Sequence, residues 1–518
     1  MNMAVPQISL RCGMGINMRI TNQMMTNNTL SNINKNKNYL SKLDQQYSSG
    51  KKIQRPSDDP IIAVRALKLR TNLTELNQYY EKNIPDAKNW MDVTEGAMDN
   101  INDILTLINT ACVQGASDPL SVEDRASIVK NLEQYKEQIY QEGDANYAGR
   151  YVFTGYKTDT SLIFGKESTN LTYTINENFS GKEIETISKV VGTYSVDDFP
   201  LGTGYDASPT LDTSYRIRLS YDNLDSENED GTDVDLNGSL VVLDKDGNPL
   251  DAADIPNITS KSVNDDDAYE PADDEINYIP ETGELILGKN VYDKFRTASS
   301  ISIDYKKTNF EKGDLRPEHY FDCDVHLSGS PVAEDKHYTK QDQEIQYEVN
   351  FNQKMTVNTQ GSDALQHDIG RDIDEILQSV QDVVATEQKI AEVDKMLEDP
   401  AYASNIDELN QLKQQLETEL TLKKDIMQKK FGKGITDSND AQDTLNVALA
   451  DLGSRYKRLQ LTESRLSDQQ ADFEELLSTN EDADVVDTYI KLSSAEVIYN
   501  ASLSAASKVV KNTLLDFL

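Results

Sequence analysis

The chain is short of the residues that usually mark chemistry or covalent cross-linking. Its three cysteines, Cys12, Cys112 and Cys323, lie far apart without a CxxC pair, so neither a disulfide framework nor a zinc site is suggested. The four histidines, His319, His326, His337 and His367, include no HExxH, and Glu318-His319 with His326 lacks metalloprotease spacing; they read as surface or turn residues. The first 30 positions contain no apolar run of the roughly 7 to 15 residues that a signal peptide needs, so export, if it occurs, is expected without a cleaved leader. A transmembrane helix needs about 20 apolar residues, and Ile61 to Leu67 is already broken by Arg65. Positive charge is scarce as well. With 51 Lys plus Arg against 89 Asp plus Glu, the net charge of -38 argues against nucleic acid or an anionic membrane as the main partner. Residues 221 to 284 hold 20 acidic side chains and only Lys245 and Lys261, which reads as a set of solvated loops. Within it, Asp244-Lys-Asp-Gly-Asn248 is similar to a calcium loop, but Pro249 takes the sixth place, where Gly is needed, so a strand-connecting turn is the better reading. Nothing calls for a cofactor or metal.

What is present is a change of period along 518 residues, room for about three domains. From Met18 to about Tyr156 the pattern is helical, with heptad spacing through Ala66, Leu73, Tyr80, Ala87, Thr94, Ile101 and Ile108. This predicts one long helix in a coiled coil, opened by Ser57-Asp-Asp-Pro60 and closed at Gly115, followed by a second helix that a Ser121/Asp124 capping box opens and Gly143 ends. From about Asp159 to Gly361 the period is two, as in Tyr215 to Tyr221, Ser239 to Leu243, Glu284 to Leu287 and Ile301 to Tyr305, which predicts a β-rich insert at 158–362. After Gly361 helical spacing returns in Ile369, Ile376, Val383, Ile390 and Leu397. Pro400 interrupts it, a hairpin ends near Lys430, and a separate heptad row runs from Leu445 to Phe473. A last helix follows Asn480 to Asp484. The expected fold class is α+β: an elongated helical coiled-coil rod formed by both chain ends, with the β domain inserted and dispensable for the helices.

The ends are poorly suited to a lone monomer. Residues 18–50 carry an apolar series, Leu30, Ile33, Leu40, Leu43 and Tyr47, among seven Asn between positions 22 and 38, and Asn is a poor helix former. Residues 485–518 carry Val485, Tyr489, Leu492, Tyr499, Leu503, Val510, Leu514, Phe517 and Leu518. Four large apolar side chains at the extreme terminus are hard to bury within one chain, at about 1.5–3 kcal/mol each. These fourteen residues are the expected assembly interface, whereas the heptad rows of 51–157 and 363–484 are expected to form an internal bundle.

Three strings make the reading specific. Met18-Arg-Ile-Thr21, Tyr47-Ser-Ser-Gly-Lys-Lys-Ile53 and Arg55-Pro-Ser-Asp-Asp-Pro60 resemble the amino-terminal signature of the flagellin superfamily, which includes filament flagellins and hook-filament junction proteins. Leu452-Gly-Ser-Arg455 and Asp482-Ala-Asp484 resemble its carboxy-terminal half. Residues 1–17 stand ahead of the usual start at Met18 as an extension. Asn146-Tyr-Ala-Gly-Arg-Tyr-Val-Phe153-Thr-Gly155 looks like the junction branch rather than filament flagellin, and Ile345 to Gly361 is similar to it too. The resemblance implies a structural, non-enzymatic component of the extracellular flagellum, exported uncleaved by the flagellar secretion apparatus. It also implies partners: further copies of itself, the other hook-associated junction protein, flagellin and a cytoplasmic secretion chaperone. A filament subunit is the alternative; an enzyme carried on a flagellin-like rod would need a catalytic constellation in 159–361 that the sequence does not present.

Overall fold

Helices occupy both ends of the described chain and strands its middle. The computed structural model describes residues 22–510 except 118–121, 202–203, 228–231, 233, 235, 252–254, 266 and 332–333. The helices at the amino-terminal end are α1 Asn22–Ser49, α2 Pro60–Gln78, α3 Ile84–Gly115 and α4 Val122–Glu142. The strands are β1 Asn146–Tyr147, β2 Arg150–Tyr151, β3 Leu171–Phe179, β4 Glu185–Val191, β5 Thr210–Arg218, β6 Leu240–Leu243, β7 Ile258–Ser260, β8 Ile276–Ile279 and β9 Glu284–Leu287. After the short helix α5 Lys289–Phe295 come β10 Ser300–Lys307, β11 Asp322–Leu327, β12 Lys336–Tyr338, β13 Gln346–Asn350 and β14 Gln353–Thr356. The chain then returns to helix with the single turn α6 Gly361–Ala364, α7 Asp368–Glu398, α8 Ile406–Glu481 and α9 Val485–Val510. Contacts divide it into two units, Met1–Lys82 with Glu463–Leu518, and Asn83–Thr462.

The expected long helix from Pro60 to Gly115 is modified where it meets Pro85. Residues Tyr79–Asn83 form a π turn between α2 and α3. A proline in a helix has no N–H to give and its ring crowds the carbonyl four residues back, so widening the turn relieves both problems. The heptad row conceals this, because Tyr80 and Ala87 keep their spacing across the change. A second correction concerns α8. Gly432 and Gly434 do not end the hairpin near Lys430; the helix runs on through 76 residues to Glu481. A Gly costs about 1 kcal/mol in a helix interior, and packing offsets it at Gly434, where a methyl would lie 2.7 Å from Ile376 and 3.0 Å from Cys112, but not at Gly432, which has open space around it; a methyl at Gly115 of α3 would lie 2.3 Å from the ring of Phe431. Small residues here let α3, α7 and α8 approach closely. Ser121, half of the expected capping box, lies outside the described residues.

In the unit Asn83–Thr462, α3, α4, α7 and the first part of α8 pack around Trp90, Ile101, Ile108, Leu132, Ile376 and Leu445, all nearly inaccessible. Two five-stranded sheets adjoin them, ordered β12-β11-β3-β10-β6 and β4-β5-β9-β8-β7, antiparallel except for β7 with β8. Strand β10 shows the period of two directly, with Ile301, Ile303, Tyr305 and Lys307 inward.

The insert is joined to the helices by buried charge and by shared core. Arg216 of β5 meets Glu185, Glu284 and, from α7, Glu375; Arg218 meets Asp372 at 2.7 Å and Glu375 at 2.9 Å. Lys430 and Lys433 of α8 close the cluster on Glu375 and on Glu185 (3.2 Å). Burial alone would raise the Glu375 carboxyl, but Arg216, Arg218 and Lys430 together hold it well below the usual range. The loop before β5 also contributes Tyr205 to a core with Val393, Leu409, Leu412 and Leu416 at the tip of the α7/α8 hairpin. The expectation that the insert can be removed without cost to the helices is at odds with both features.

Candidate assembly interface

The sequence signature near position 50 is a built turn. Asp58 accepts the backbone N–H groups of Gln54 (3.1 Å) and Arg55 (2.9 Å), which hold its carboxyl below its ordinary value. Asp59 caps α2 by accepting from Ile61 and Ile62, and Pro60 takes the first helical place where a missing N–H is harmless. Asp484 caps α9 in the same way, through Val486 and Asp487. The two linkers are stitched to each other: Lys52 N–H donates to Glu481 O at 2.6 Å, Ala483 N–H to Gly50 O at 2.8 Å, and Lys51 Nζ lies 2.5 Å from Asp482. Glu481, almost fully buried, also holds Arg70 of α2 at 2.6 Å. The α1–α2 and α8–α9 linkers therefore form one paired gate.

Beyond that gate α1 lies along α9. Asn36 donates to Ser502 at 2.9 Å, and the rings of Tyr47 and Tyr489 stand 5.8 Å apart. The pairing buries little: only Leu43, Thr488 and Ala495 are fully covered among the described residues of the two helices. Of the expected interface, Ile33, Leu40, Leu492 and Tyr499 are half-buried, while Leu30, Tyr47, Val485, Tyr489 and Leu503 are exposed. The side chain of Val510, and Leu514, Phe517 and Leu518 altogether, lie outside the described residues.

Sequence reasoning missed part of this surface. Val486 is 70% exposed, Val497 69% and Ile490 59%, and Ile498, Met24, Met25 and Tyr39 join them. On α2, Ile61, Val64 and Leu67 face solvent off the heptad row. The available signal was that α9 is apolar on several faces; a helix of that kind ordinarily needs burial all round, which the single chain does not supply.

Elsewhere the chemistry points to structure. Ser220 Oγ lies 3.3 Å from His367 Nε2, whose Nδ1 is 2.9 Å from Asp368, a sequence of contacts resembling a catalytic relay. The Ser220 hydroxyl is turned to Glu177 instead, which also accepts from Tyr305 at 2.8 Å, and the group is buried. It is a hydrogen-bonded joint between β3 and α7. His326 and His337 pair with Asp335 (2.6 Å) and Asp324 (2.7 Å). No group of three or more His, Cys, Asp or Glu able to hold a metal occurs among the described residues. Asp244 accepts from Asp246 and Asn248 N–H groups in a turn after β6.

His319 offers a pH test. Burial pushes its imidazole down to about 4, and its Nε2 has no hydrogen-bond partner among the described residues. A depressed folded pKa contributes stability above the unfolded value near 6.5 that is lost as pH falls toward the folded one. Between pH 7 and 4.5 the protein should lose about 2–3 kcal/mol more than its His319→Gln variant in urea unfolding; parallel losses would show that His319 does not titrate in this way.

The 146–155 motif works as a clamp. Ala148 and Gly149 take positive φ (52° and 83°) in the β1–β2 turn. Tyr147 donates to Asp86 of α3 at 2.8 Å, Tyr347 of β13 donates to the same carboxylate, and Arg150 lies over the Trp90 ring at 4.9 Å. Trp90 is thus a core residue that also receives the motif.

Residues 20–158 match the family model described as the bacterial flagellin N-terminal helical region. Flagellar hook-associated protein 3 of Salmonella typhimurium is 30% identical over 146 residues, covering 28% of this chain and 45% of that protein. A flagellin of Clostridium tyrobutyricum is 33% identical over 122 residues, 24% of this chain and 32% of its own length. The chain therefore spans less than half the length of these two curated relatives. The crystal structure of Xanthomonas campestris FlgL superposes with a TM-score of 0.31 at 10% identity, covering 80% of this chain and 99% of that one, a score too low to bear on the fold. Residues 20–158 are thus similar to the amino-terminal helical region of bacterial flagellins.

Proposed function

We propose that the chain is a structural subunit of the bacterial flagellum, a hook-filament junction protein connecting the hook to the flagellin filament without catalytic work. The observation that carries this reading is α9: paired with α1 in a superfamily built on such helices, it still leaves Val486, Ile490, Val497 and Ile498 in water. Repetition of the α1/α9 pair around an axis would cover those side chains, so residues 18–50 and 485–518 act as the assembly segment, 51–157 with 363–484 as the bundle, and 158–362 as the insert. Partners that follow are further copies of the chain, the other hook-associated junction protein, flagellin, and a secretion chaperone that shields the apolar ends before export to the cell exterior. A filament subunit is the second reading, favoured by the flagellin relatives; the 146–155 clamp motif favours the junction. Immunogold labelling of flagellated cells separates them. A single band at the hook-filament boundary is expected, and labelling along the filament would establish the second reading instead.

A further inference from the structure

A cleft of about 460 Å³ lies between the sheet edge formed by β4, β5 and β9 and the helices α7 and α8. Its walls carry charge of both signs, and most of it is already matched: Arg216 and Lys430 by Glu375, Lys423 by Glu419, Asp374 by Lys136. Three are not: Lys189, Asp382 and the exposed Glu281, which accepts from the Ser262 hydroxyl at 2.8 Å. Lys189 of β4 reaches into the cleft with its ammonium 3.8 Å from the centre of the Tyr269 ring, and no carboxylate of the described residues lies within 4 Å of it. On the α7 wall the Asp382 carboxylate receives the side-chain amide of Gln378, at 2.9 Å, and no cation of the described residues pairs with it. Burial pushes the Lys189 ammonium down, with Glu284 and Asp382 acting against that shift from a distance. A further unmatched donor, the buried Nε of Arg371, lines the same cleft.

Lys189 and Asp382 are each partly exposed on the cleft walls, so a molecule bearing both complementary charges gains two charge-assisted contacts on binding. The volume falls in the range of small-molecule sites. We propose that this cleft binds a small zwitterion of the amino-acid class, its carboxylate on Lys189 and its ammonium on Asp382. The Tyr269 ring beside Lys189 excludes water from the ion pair and strengthens it. No described residue of α1 or α9 lines the cleft.

The test is isothermal titration of the full-length monomer with each of the common L-amino acids, and with acetate and methylammonium, which carry one pole each. At least one amino acid should bind with a Kd below about 1 mM, and the single-charge probes at least tenfold more weakly. K189M and D382N should each lose tenfold or more, while K189R, which keeps the charge, should retain binding; far-UV circular dichroism confirms that each variant is folded. Absence of saturable binding by any amino acid overturns the proposal, as does binding that survives in both K189M and D382N. Acetate binding as tightly as the amino acids would also overturn it, by showing a plain anion site.

Discussion

Replacing Arg216 by methionine is expected to destabilise the protein by about 3–5 kcal/mol at pH 7, the largest effect of any single side chain outside the hydrophobic core. The guanidinium is 4% exposed and is shared by Glu185, Glu284 and Glu375. Its removal leaves three carboxylates crowded in a poorly solvated place, with Arg218, Lys430 and Lys433 as the cations that remain. These carboxyls are held below their usual range in the folded protein, with burial resisting and Arg216 the largest opposing influence for each. Depressed folded values mean stability that is present above the unfolded pKa near 4.3 and lost as pH falls through the folded values. The deficit of the variant should therefore be full at pH 7 and shrink below about pH 4, where the unfolded carboxyls are protonated in both proteins. Urea unfolding followed by Trp90 fluorescence and by far-UV circular dichroism checks this. A loss under about 1 kcal/mol at pH 7 would mean that the cluster contributes only geometry.

The second large effect concerns assembly. The double variant Ile490→Asp, Val497→Asp should incorporate into flagella at least a hundredfold less than the parent protein, corresponding to about 3 kcal/mol of lost association. Its monomer stability should change by no more than about 0.5 kcal/mol, since substitutions at exposed positions seldom do more. Both side chains are mostly in water in the single chain, 59% and 69% exposed, so the charge meets no cost until a neighbour covers it. Deleting Leu514 to Leu518 is expected to act in the same direction. Amide exchange on the monomer should show weak protection in α1 and α9 and strong protection in α3 and α7, which lie in the well-buried unit. Normal incorporation of the double variant would remove α9 from the interface.

Several features are legible in the amino-acid order alone. Apolar spacing of seven locates α3 and α7, alternation locates β5, β6, β9 and β10, and the Asp-Asp-Pro string marks the start of α2, because period and capping are read from neighbours within a few residues. The terminal apolar series falls on α1 and α9, yet it names Leu43, which is buried, beside Tyr489, which is exposed. That difference depends on which face meets the partner helix, and a stripe in the sequence does not say so.

By itself, then, the sequence determined the helix-strand-helix order and the cap of α2, both of which follow from local periodicity, propensity and polarity. Only the tertiary structure decided that Pro85 is met by a π turn and that α8 passes through Gly432 and Gly434 without a break. It alone brought Arg216, Glu284 and Glu375 together across 159 positions, and set Lys189 opposite Asp382 across a cleft. In each of these cases the deciding energy comes from side chains distant in sequence. A glycine is tolerated because Cys112 and Ile376 fill its space, and a buried arginine because three carboxylates converge on it.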